Sequence, residues 1–454
     1  MNKLSKREPS SHGAVGESLS HCAIGIFAAV SVALLPQNIR PQDFRALFQR
    51  HGVLLFSVLA AAAYYPRFVK LPAGMETFPQ AASCLWHGQM LQVCDQGFTY
   101  PPFFAFLMLP FVPMPLWLRD LVWYGVTLAA TVGAFKLSES IACRSLAAPL
   151  QRAELPWLRF FVLLLAAKLI LAVFENQAYD ALVLVAVVFG LWALTDDRPL
   201  AAGAGLALAA ALKATPLIFL PYLLWKRYFA AAAAFVCVYA IASLLPDLLF
   251  TQAGSQGSLV DGYFSTWLGE VAGPSLGVNP AGASFVFWDG ANILNHSLRG
   301  AVGLNIDEAH HRSLFEAVLA ATDGCFMVVV GTLIALSPRR PQSIALDGSL
   351  LLMAMLMLSP MTSRSHYVEL LLPYMTLVAL NFRDQHTARL GRAVLAISFA
   401  LVTLAGNDAV GQAFTIWAYR HSTMVLGTLV LLIYFAVLVV KELREEHSTA
   451  LQTY

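Results

Sequence analysis

The segment LRFFVLLLAAKLILAVFENQAYDALVLVAVVFGLWAL, residues 158–194, decides the fold class of this chain. It contains two apolar runs, 158–174 and 179–194, which are separated by a short polar cluster that begins at Glu175. A helix needs about 20 largely apolar residues to cross the hydrocarbon core of a bilayer. The segment therefore predicts two helices that lie in a membrane and are joined by a polar turn.

The composition of the whole chain extends this prediction to most of its length. Of 454 residues, 58% are hydrophobic and only 12% are charged, and the mean hydropathy is +0.66. A soluble domain carries roughly 25% charged residues, so a soluble protein with one very large core is a remote alternative. We predict an all-α polytopic membrane protein with about 10–12 transmembrane helices, some of them half-helices or re-entrant, because several apolar runs are shorter than a full span.

Nothing in the sequence indicates a nucleic-acid or metal ligand. The formal net charge is +2, and no basic patch interleaved with aromatic residues occurs, so we expect no nucleic-acid partner. No CxxC or HxxxH spacing occurs either, so we expect no tetrahedral metal site.

Clusters of Lys and Arg divide the chain, because such residues accumulate in short cytoplasmic loops. We predict three parts: a cytoplasmic lead with a short interfacial or membrane helix over residues 1–50, a transmembrane domain over 51–441, and a cytoplasmic tail over 442–454.

The same charge pattern places the connecting segments. The outer loops are predicted at 66–102, 251–314 and 359–367. For this parity, the run 101–116 has to be a shallow re-entrant dip, because a full crossing there would reverse every later loop. The loop 251–314 is rich in Gly and aromatic residues, and it is either an ordered lid or a disordered spacer.

Residues 199–225 are expected to form a hairpin whose tip is Lys213-Ala-Thr-Pro216. Pro216 lacks an N–H and disfavours helical geometry at the preceding residue, so the helix should break there. A cation inside an apolar hairpin costs a few kcal/mol unless it is paired. A phosphate group is a natural partner for Lys213, and snorkelling to the interface is the alternative.

The first long polar stretch is METFPQAASCLWHGQMLQVCDQGFTYPP, residues 75–102, which we predict to be a catalytic loop. Glu76 could take a proton from an attacking hydroxyl, and Asp95 is the competing carboxylate for this role. Alternatively, Glu76 is a solvated loop residue without a catalytic role. Cys84 and Cys94 could form a disulfide that restricts this loop, or they could be two free thiols.

A second polar segment, 359–367, carries Arg364 and His366 in the order SPMTSRSHY. An Arg and a hydrogen-bonding His together suit a phosphodiester, whereas a plain polar turn would need neither.

These segments in this order resemble the polyprenol-phosphate-mannose-dependent mannosyltransferases and arabinofuranosyltransferases of glycosyltransferase family 87, which have the C-type membrane glycosyltransferase fold. The resemblance extends over about residues 70–380, and the matching motifs lie at 98–103, 176–177, 202–216, 295–300 and 359–367. Glu76 occupies the position where the family has an Asp, and Gln80 stands where it has a Tyr.

The resemblance implies inverting transfer of a sugar, most simply mannose, from a polyprenyl-phosphate donor. Glu76 would be the base, and Lys213, Arg364 and His366 would bind the departing phosphate. The substrate-binding residues implied are Tyr100, Glu175, Asn176, Gln177 and Asn295. No nucleotide or other cofactor is expected.

The resemblance also implies membrane lipid as a partner and a glycan or glycolipid as the acceptor. It places the protein in the inner or plasma membrane, with its active site facing the periplasm or the outside. A transporter or lipid-linked sugar flippase is the competing class, since it would also place charges at broken helices. A non-catalytic membrane scaffold is the third reading.

Overall fold

The fold is a bundle in which long apolar helices alternate with short ones. A computed structural model describes residues 62–70, 73–94, 98–146, 148–252, 261–275, 291–383 and 385–452. Within these ranges the regular structure is helical and there is no β-strand, which confirms the predicted all-α class. Arg67–Tyr454 form one unit and Met1–Pro66 another. The predicted lead over residues 1–50 lies outside the described residues.

The described helices follow one another as α1 Ala73–Trp86, α2 Leu91–Cys94, α3 Pro102–Leu107, α4 Leu116–Arg144, α5 Leu155–Glu175, α6 Asp180–Thr195, α7 Pro199–Leu212, α8 Phe219–Trp225, α9 Phe229–Leu249, α10 Tyr263–Trp267, α11 Gly273–Ser275, α12 Leu298–Gly303, α13 Arg312–Leu336, α14 Ile344–Leu358, α15 Leu371–Arg383, α16 Gln385–Ser398, α17 Asn407–Arg420 and α18 Thr423–Gln452. Short 3₁₀ segments lie at Leu109–Phe111, Thr215–Ile218, Pro341–Ser343 and Arg364–Leu370, and π-helical turns at Leu268–Ala272 and Phe399–Thr403.

Six of the described helices are long and apolar enough to cross a membrane. They are α4, α5, α9, α13, α14 with the 3₁₀ turn before it, and α18 as far as Arg444. Shorter apolar helices lie at Pro102–Phe111, Asp180–Thr195, Pro199–Leu212 and Thr215–Trp225. The chain is therefore a multi-pass membrane protein, while the predicted total of about 10–12 crossings stays a prediction.

The segment 75–102 is not the loop that we predicted. Its first half is α1, an amphipathic helix in which Met75, Phe78, Ala82 and Leu85 are buried. These residues recur every three or four positions, which places them on one face of a helix. Glu76 and Gln80 lie on the exposed side. The prediction was wrong because the polar half of an amphipathic helix has the same composition as a loop.

The apolar helical segment that begins at Pro102 is too short to cross a membrane. The apolar segment Pro102–Phe111 consists of α3 and a 3₁₀ turn. At 1.5 Å for each residue it rises roughly 15 Å, about half the thickness of the hydrocarbon core. A shallow dip fits this length and a full crossing does not.

The helix predicted to break near Pro216 ends at Leu212. Lys213 has extended backbone angles, with φ −152° and ψ 130°. The chain then turns through Thr215–Ile218 and continues as α8. The break therefore places Lys213 at the end of α7, inside the bundle.

The helices α7 and α9 pack with their backbones in contact. A Cβ atom at Gly203 would lie 2.0 Å from the carbonyl oxygen of Ala231. Small residues allow membrane helices to approach this closely, because van der Waals contact replaces the hydrophobic driving force that lipid does not provide.

The described part of the loop 251–314 is ordered by contacts with its surroundings. Asp247, at the end of α9, accepts hydrogen bonds from the first backbone N–H groups of α10, at Tyr263 and Phe264. Trp267 on the same helix donates its indole N–H to the carbonyl of Thr99 at 3.1 Å. This part of the loop is therefore fixed on the segment before α3.

Candidate functional site

A cluster of three ionisable side chains is buried where α6, the end of α7 and the 3₁₀ segment Arg364–Leu370 meet. The ammonium of Lys213 lies 3.1 Å from Asp180 Oδ1 and 3.7 Å from Glu369 Oε1. Asp180 and Glu369 are each 1% exposed, and Lys213 is 9% exposed. The second oxygen of Asp180 accepts a hydrogen bond of 2.8 Å from the Ser365 hydroxyl. Ionisable side chains in an apolar bundle are stable only in such mutual contact.

The cluster changes the role that we expected for Lys213. We predicted a bound phosphate as its partner, but the carboxylate of Asp180 already balances its charge. Burial raises the pKa of Glu369 to about 8, so this second carboxyl group is largely protonated at pH 7. Neither contact can be read from the sequence, and Glu369 was not among the predicted site residues. One signal could have found it, since Glu369 is a lone carboxylate within an apolar run, and such residues are usually paired.

His366 lies beside this cluster without adding charge to it. Its Nδ1 is 2.8 Å from the Ser363 hydroxyl and 3.6 Å from Asp180 Oδ2. Burial lowers the pKa of His366 from 6.5 to about 4, assisted by the nearby Lys213 and opposed by Asp180. The ring is therefore neutral at pH 7 and can donate a hydrogen bond, but it cannot neutralise a phosphate.

Arg364 faces a different part of the bundle. Its Nη2 donates to the carbonyl of Thr403 at 3.4 Å, and its guanidinium packs against Gly406. Its neighbour Ser365 instead contacts Asp180. The residues predicted to bind phosphate thus separate into two places, with Lys213 and His366 at the buried cluster and Arg364 towards the connection between α16 and α17.

Gln177 is a buried structural hub in the turn between α5 and α6. Its side-chain oxygen accepts from the backbone N–H of Met75 at 3.0 Å, and its amide donates to Asp120 at 3.2 Å and to the carbonyl of Phe68 at 3.3 Å. Its own carbonyl accepts from the Trp123 indole at 2.8 Å. Gln177 therefore fixes the start of α1, the helix that carries Glu76, and its fully buried side chain leaves no surface for a substrate.

The close fit extends to the glycine at the start of α1. A Cβ atom at Gly74 would lie 2.7 Å from the carbonyl oxygen of Gln177. The two other polar residues of this turn have separate surroundings. Glu175 forms an ion pair of 3.1 Å with Arg67, and the exposed Asn176 donates to the carbonyl of Ala172 at the end of α5.

Asn295 also joins two segments of the chain. Its side-chain oxygen accepts from the Thr362 N–H at 3.1 Å and from the Ser297 hydroxyl at 2.8 Å, while its amide donates to the carbonyl of Pro360 at 2.9 Å. The next residue adds a hydrogen bond between the same two segments, because the His296 N–H donates to the Thr362 carbonyl at 2.7 Å. Asn295 was predicted to bind substrate, but in the structure it holds the loop before α12 against the segment 360–362.

Aromatic rings connect α1 with the buried cluster. Tyr100 lies 5.8 Å from Phe78 of α1 and 4.7 Å from Tyr179, measured between ring centroids. Tyr179 directly precedes Asp180 and is itself buried. Tyr100, which we predicted to bind substrate, is half-buried in this wall between the two regions.

The two predicted bases have different outcomes. Glu76 is exposed on α1, and among the described residues no hydrogen bond or ion pair engages its carboxylate. Asp95 lies outside the described residues.

The structure joins Cys84 and Cys94 in a disulfide, which links α1 to α2. No group of three His, Cys, Asp or Glu residues that could hold a metal ion occurs in the described ranges.

An apolar pocket of about 320 Å³ lies between α8, α13 and α14. Its lining includes Ile218 and Trp225 at the two ends of α8, Ala335 from the end of α13 and Leu358 from the end of α14. Ile218 closes the 3₁₀ turn that begins two residues after Lys213, and the pocket runs from there along α8. An elongated apolar chain fits such a lining.

Residues 98–360 match glycosyltransferase family 87. The chain is 27% identical, over 311 residues, to the polyprenol-phosphate-mannose-dependent alpha-(1-2)-phosphatidylinositol pentamannoside mannosyltransferase of Mycobacterium tuberculosis (strain CDC 1551 / Oshkosh). The alignment covers 68% of this chain and 64% of that relative, so the chain spans less than two thirds of the relative's length. No solved structure matches the chain.

Proposed function

This chain belongs to glycosyltransferase family 87, and from this premise we propose that it is a transferase that moves a sugar from a polyprenyl-phosphate donor to a glycan or glycolipid acceptor. Mannose is the proposed sugar, because the mycobacterial relative depends on polyprenol-phosphate mannose. We place the reaction at the outer face of the membrane. The observation that carries the proposal is the buried cluster of Asp180, Lys213 and Glu369 at a helix break, beside an apolar pocket.

The donor lipid has two parts, an apolar chain and a phosphate, and we assign each to a different part of the fold. The apolar pocket along α8 suits the polyprenyl chain, because its lining is almost entirely hydrocarbon. The buried cluster would receive the phosphate, since the neutral His366 beside it could donate a hydrogen bond to a phosphate oxygen. A soluble nucleotide-sugar donor would have no use for such a pocket.

Glu76 is the proposed base of the reaction. Its carboxylate would take the proton of an acceptor hydroxyl while that hydroxyl attacks C1 of the sugar from the side opposite the phosphate, with inversion at C1. The C1–oxygen bond to the phosphate breaks in the same step, and the lipid phosphate leaves with the electron pair. The support for this role is that Glu76 is exposed and sits one residue from the backbone N–H that Gln177 holds.

Transfer can be tested with the purified protein, polyprenyl-phosphate mannose and a panel of glycan and glycolipid acceptors, with mass spectrometry of the products. We expect a new glycoside, and we expect Glu76→Gln to lower kcat about 10²–10⁴-fold, the usual contribution of a general base. Gln80→Ala, a change at an exposed position of the same helix, is the matched control and should retain activity.

Two results would contradict the proposal in different ways. Full activity of Glu76→Gln would exclude this residue as the base. Movement of labelled lipid across a proteoliposome bilayer, without any new glycosidic bond for the whole acceptor panel, would instead make the protein a flippase.

A further inference from the structure

We propose that Trp86, together with Ser83 and His87, forms a binding site for sugar units of the acceptor at the end of α1. None of the three was among the predicted site residues. The inference deepens the proposed function, on which it rests, because it names the part of the acceptor that is held on the helix that carries the proposed base Glu76.

One face of α1 connects the proposed base with this end of the helix. Ser83 follows Glu76 by seven positions, which places the two on one side of the helix. His87 continues the helical pattern, because its backbone N–H donates to the carbonyl of Ser83 at 3.1 Å. Trp86 follows Ser83 by three positions and borders the same face. It follows Glu76 by ten positions, so the two residues are separated by roughly 15 Å along the helix axis.

The ring of Trp86 is open to a ligand and has polar neighbours. It is 64% exposed, and within the described part of 73–94 the one other exposed large apolar side chain is Met90. The remaining exposed residues there are polar, namely Glu76, Gln80, His87 and Gln89. A helix that lies in lipid presents an apolar face, so this surface of α1 faces water. A sugar ring has C–H groups on its faces and hydroxyl groups at its rim, which matches an aromatic ring among hydrogen-bonding groups.

The end of α1 is fixed in position by three contacts. The Trp86 ring packs against Phe250, with the ring centroids 5.8 Å apart. The Tyr263 hydroxyl donates to the carbonyl of the neighbouring Leu85 at 3.4 Å, and the disulfide of Cys84 joins this turn to α2. An aromatic side chain that is held in one place loses little conformational entropy when a ligand binds, so its contact area contributes efficiently to affinity.

Ser83 and His87 supply hydrogen-bonding groups beside the ring. The Nδ1 atom of His87 lies 2.8 Å from the carbonyl oxygen of Ser83. A carbonyl oxygen only accepts, so Nδ1 carries the proton, and Nε2 of the neutral ring is left as an acceptor for a sugar hydroxyl. The Ser83 hydroxyl, 3.5 Å from the same Nδ1, can donate or accept. Gln80 is outside the site, because its amide donates to the carbonyl of Cys94 at 3.4 Å.

Binding can be measured without the donor and without any transfer reaction. The full-length protein in nanodiscs is titrated with a soluble linear mannose tetrasaccharide, and the affinity is measured by isothermal titration calorimetry. We expect Trp86→Ala to weaken binding at least tenfold, whereas Trp86→Phe keeps an aromatic ring and should retain most of the affinity. His87→Leu should also weaken binding, and His87→Gln, which keeps a hydrogen-bond acceptor, should restore it.

Kinetics of transfer add a test of the separation between Glu76 and Trp86. A monosaccharide acceptor at Glu76 is too short to reach Trp86, whereas a tetrasaccharide can contact both. Trp86→Ala should therefore raise the KM of the tetrasaccharide about tenfold or more with little change in kcat, and it should leave the KM of the monosaccharide unchanged.

The matched control is Trp117→Ala, because Trp117 on α4 is also 64% exposed; this variant should bind the tetrasaccharide as the unmodified protein does. Unchanged affinity in Trp86→Ala, an equal loss in Trp117→Ala, or no oligosaccharide binding by the unmodified protein would overturn the inference. Stronger quenching of the unmodified protein than of Trp86→Phe by brominated lipid would overturn it too, because Trp86 would then lie in the bilayer. Binding that depends on Trp86 in a protein that transfers no sugar would refute the proposed function alone.

Discussion

Replacement of Lys213 by Met should destabilise the bundle strongly. Lys213→Met removes the ammonium that lies 3.1 Å from Asp180 and 3.7 Å from Glu369, both of which are 1% exposed on their side chains. Deletion of one partner from a buried ion pair costs about 3–5 kcal/mol, because the remaining charge is left without compensation. For a folded unit of this size that cost corresponds to a decrease of about 4–6 °C in the midpoint of thermal unfolding.

The matched variant is Glu369→Gln. Lys213 keeps its closer partner Asp180 in this variant, and the buried Glu369 oxygens have no hydrogen bond in the described residues. Burial raises the pKa of Glu369 to about 8, so its carboxyl group is largely protonated at pH 7 and its replacement by an amide changes the charge of the cluster little. We therefore expect Glu369→Gln to cost less than about 1 kcal/mol, the size of an ordinary hydrogen-bond change.

The assay is thermal unfolding of each purified variant in the same detergent, followed by intrinsic tryptophan fluorescence. The double variant Lys213→Met/Asp180→Asn restores neutrality and should recover much of the lost stability. Equal unfolding midpoints for Lys213→Met and Glu369→Gln would refute the reasoning, because they would show that Lys213 does not compensate Asp180.

Three further predictions follow from other parts of the structure. Gln177→Ala should lower kcat for transfer with little change in KM, because the start of α1 loses the hydrogen bond that holds it. Asn176→Ala, at the exposed neighbouring position, is the control and should leave both constants unchanged. Equal kinetics for the two variants would contradict this prediction. Reduction of the Cys84–Cys94 disulfide should lower the free energy of unfolding by about 2–3 kcal/mol, because the disulfide closes a loop of 10 residues. Thermal unfolding with and without a reductant measures this effect. Serine at both positions should abolish the effect of the reductant. Because the pKa of His366 is lowered from 6.5 to about 4, its contribution to stability is present above pH 6.5 and is lost as the pH falls towards 4; His366→Gln should flatten this part of the pH profile, and an unchanged profile would exclude a neutral buried His.

The sequence was sufficient for the fold class. Apolar runs and the low charge identified a helical membrane protein, and Pro216 located the break that the structure shows at Lys213. Both are local properties, because the length of a run and the lack of an N–H act on the chain where they occur.

The site was less accessible from the sequence, for two physical reasons. The partner of Lys213 at Glu369 lies far away along the chain, and one sequence carries no record of which distant residues meet. The polar residues Gln177 and Asn295 were predicted to bind substrate, but their hydrogen bonds connect segments of the fold. A buried amide that joins backbones and an exposed amide that binds a sugar are identical as sequence letters.

The close contact between α7 and α9 has a consequence for biogenesis. With 14 residues α7 rises roughly 21 Å, less than the bilayer core, and it is followed by the charged Lys213. Lipid alone does not stabilise such a helix well. Asp180, the ion-pair partner of Lys213, has already been synthesised when Lys213 emerges, and Ala231, which contacts Gly203 of α7, is synthesised soon after. We expect α6, α7 and α9 to leave the translocon as one unit, so a bulky residue at Gly203 should arrest insertion before the later helices are made.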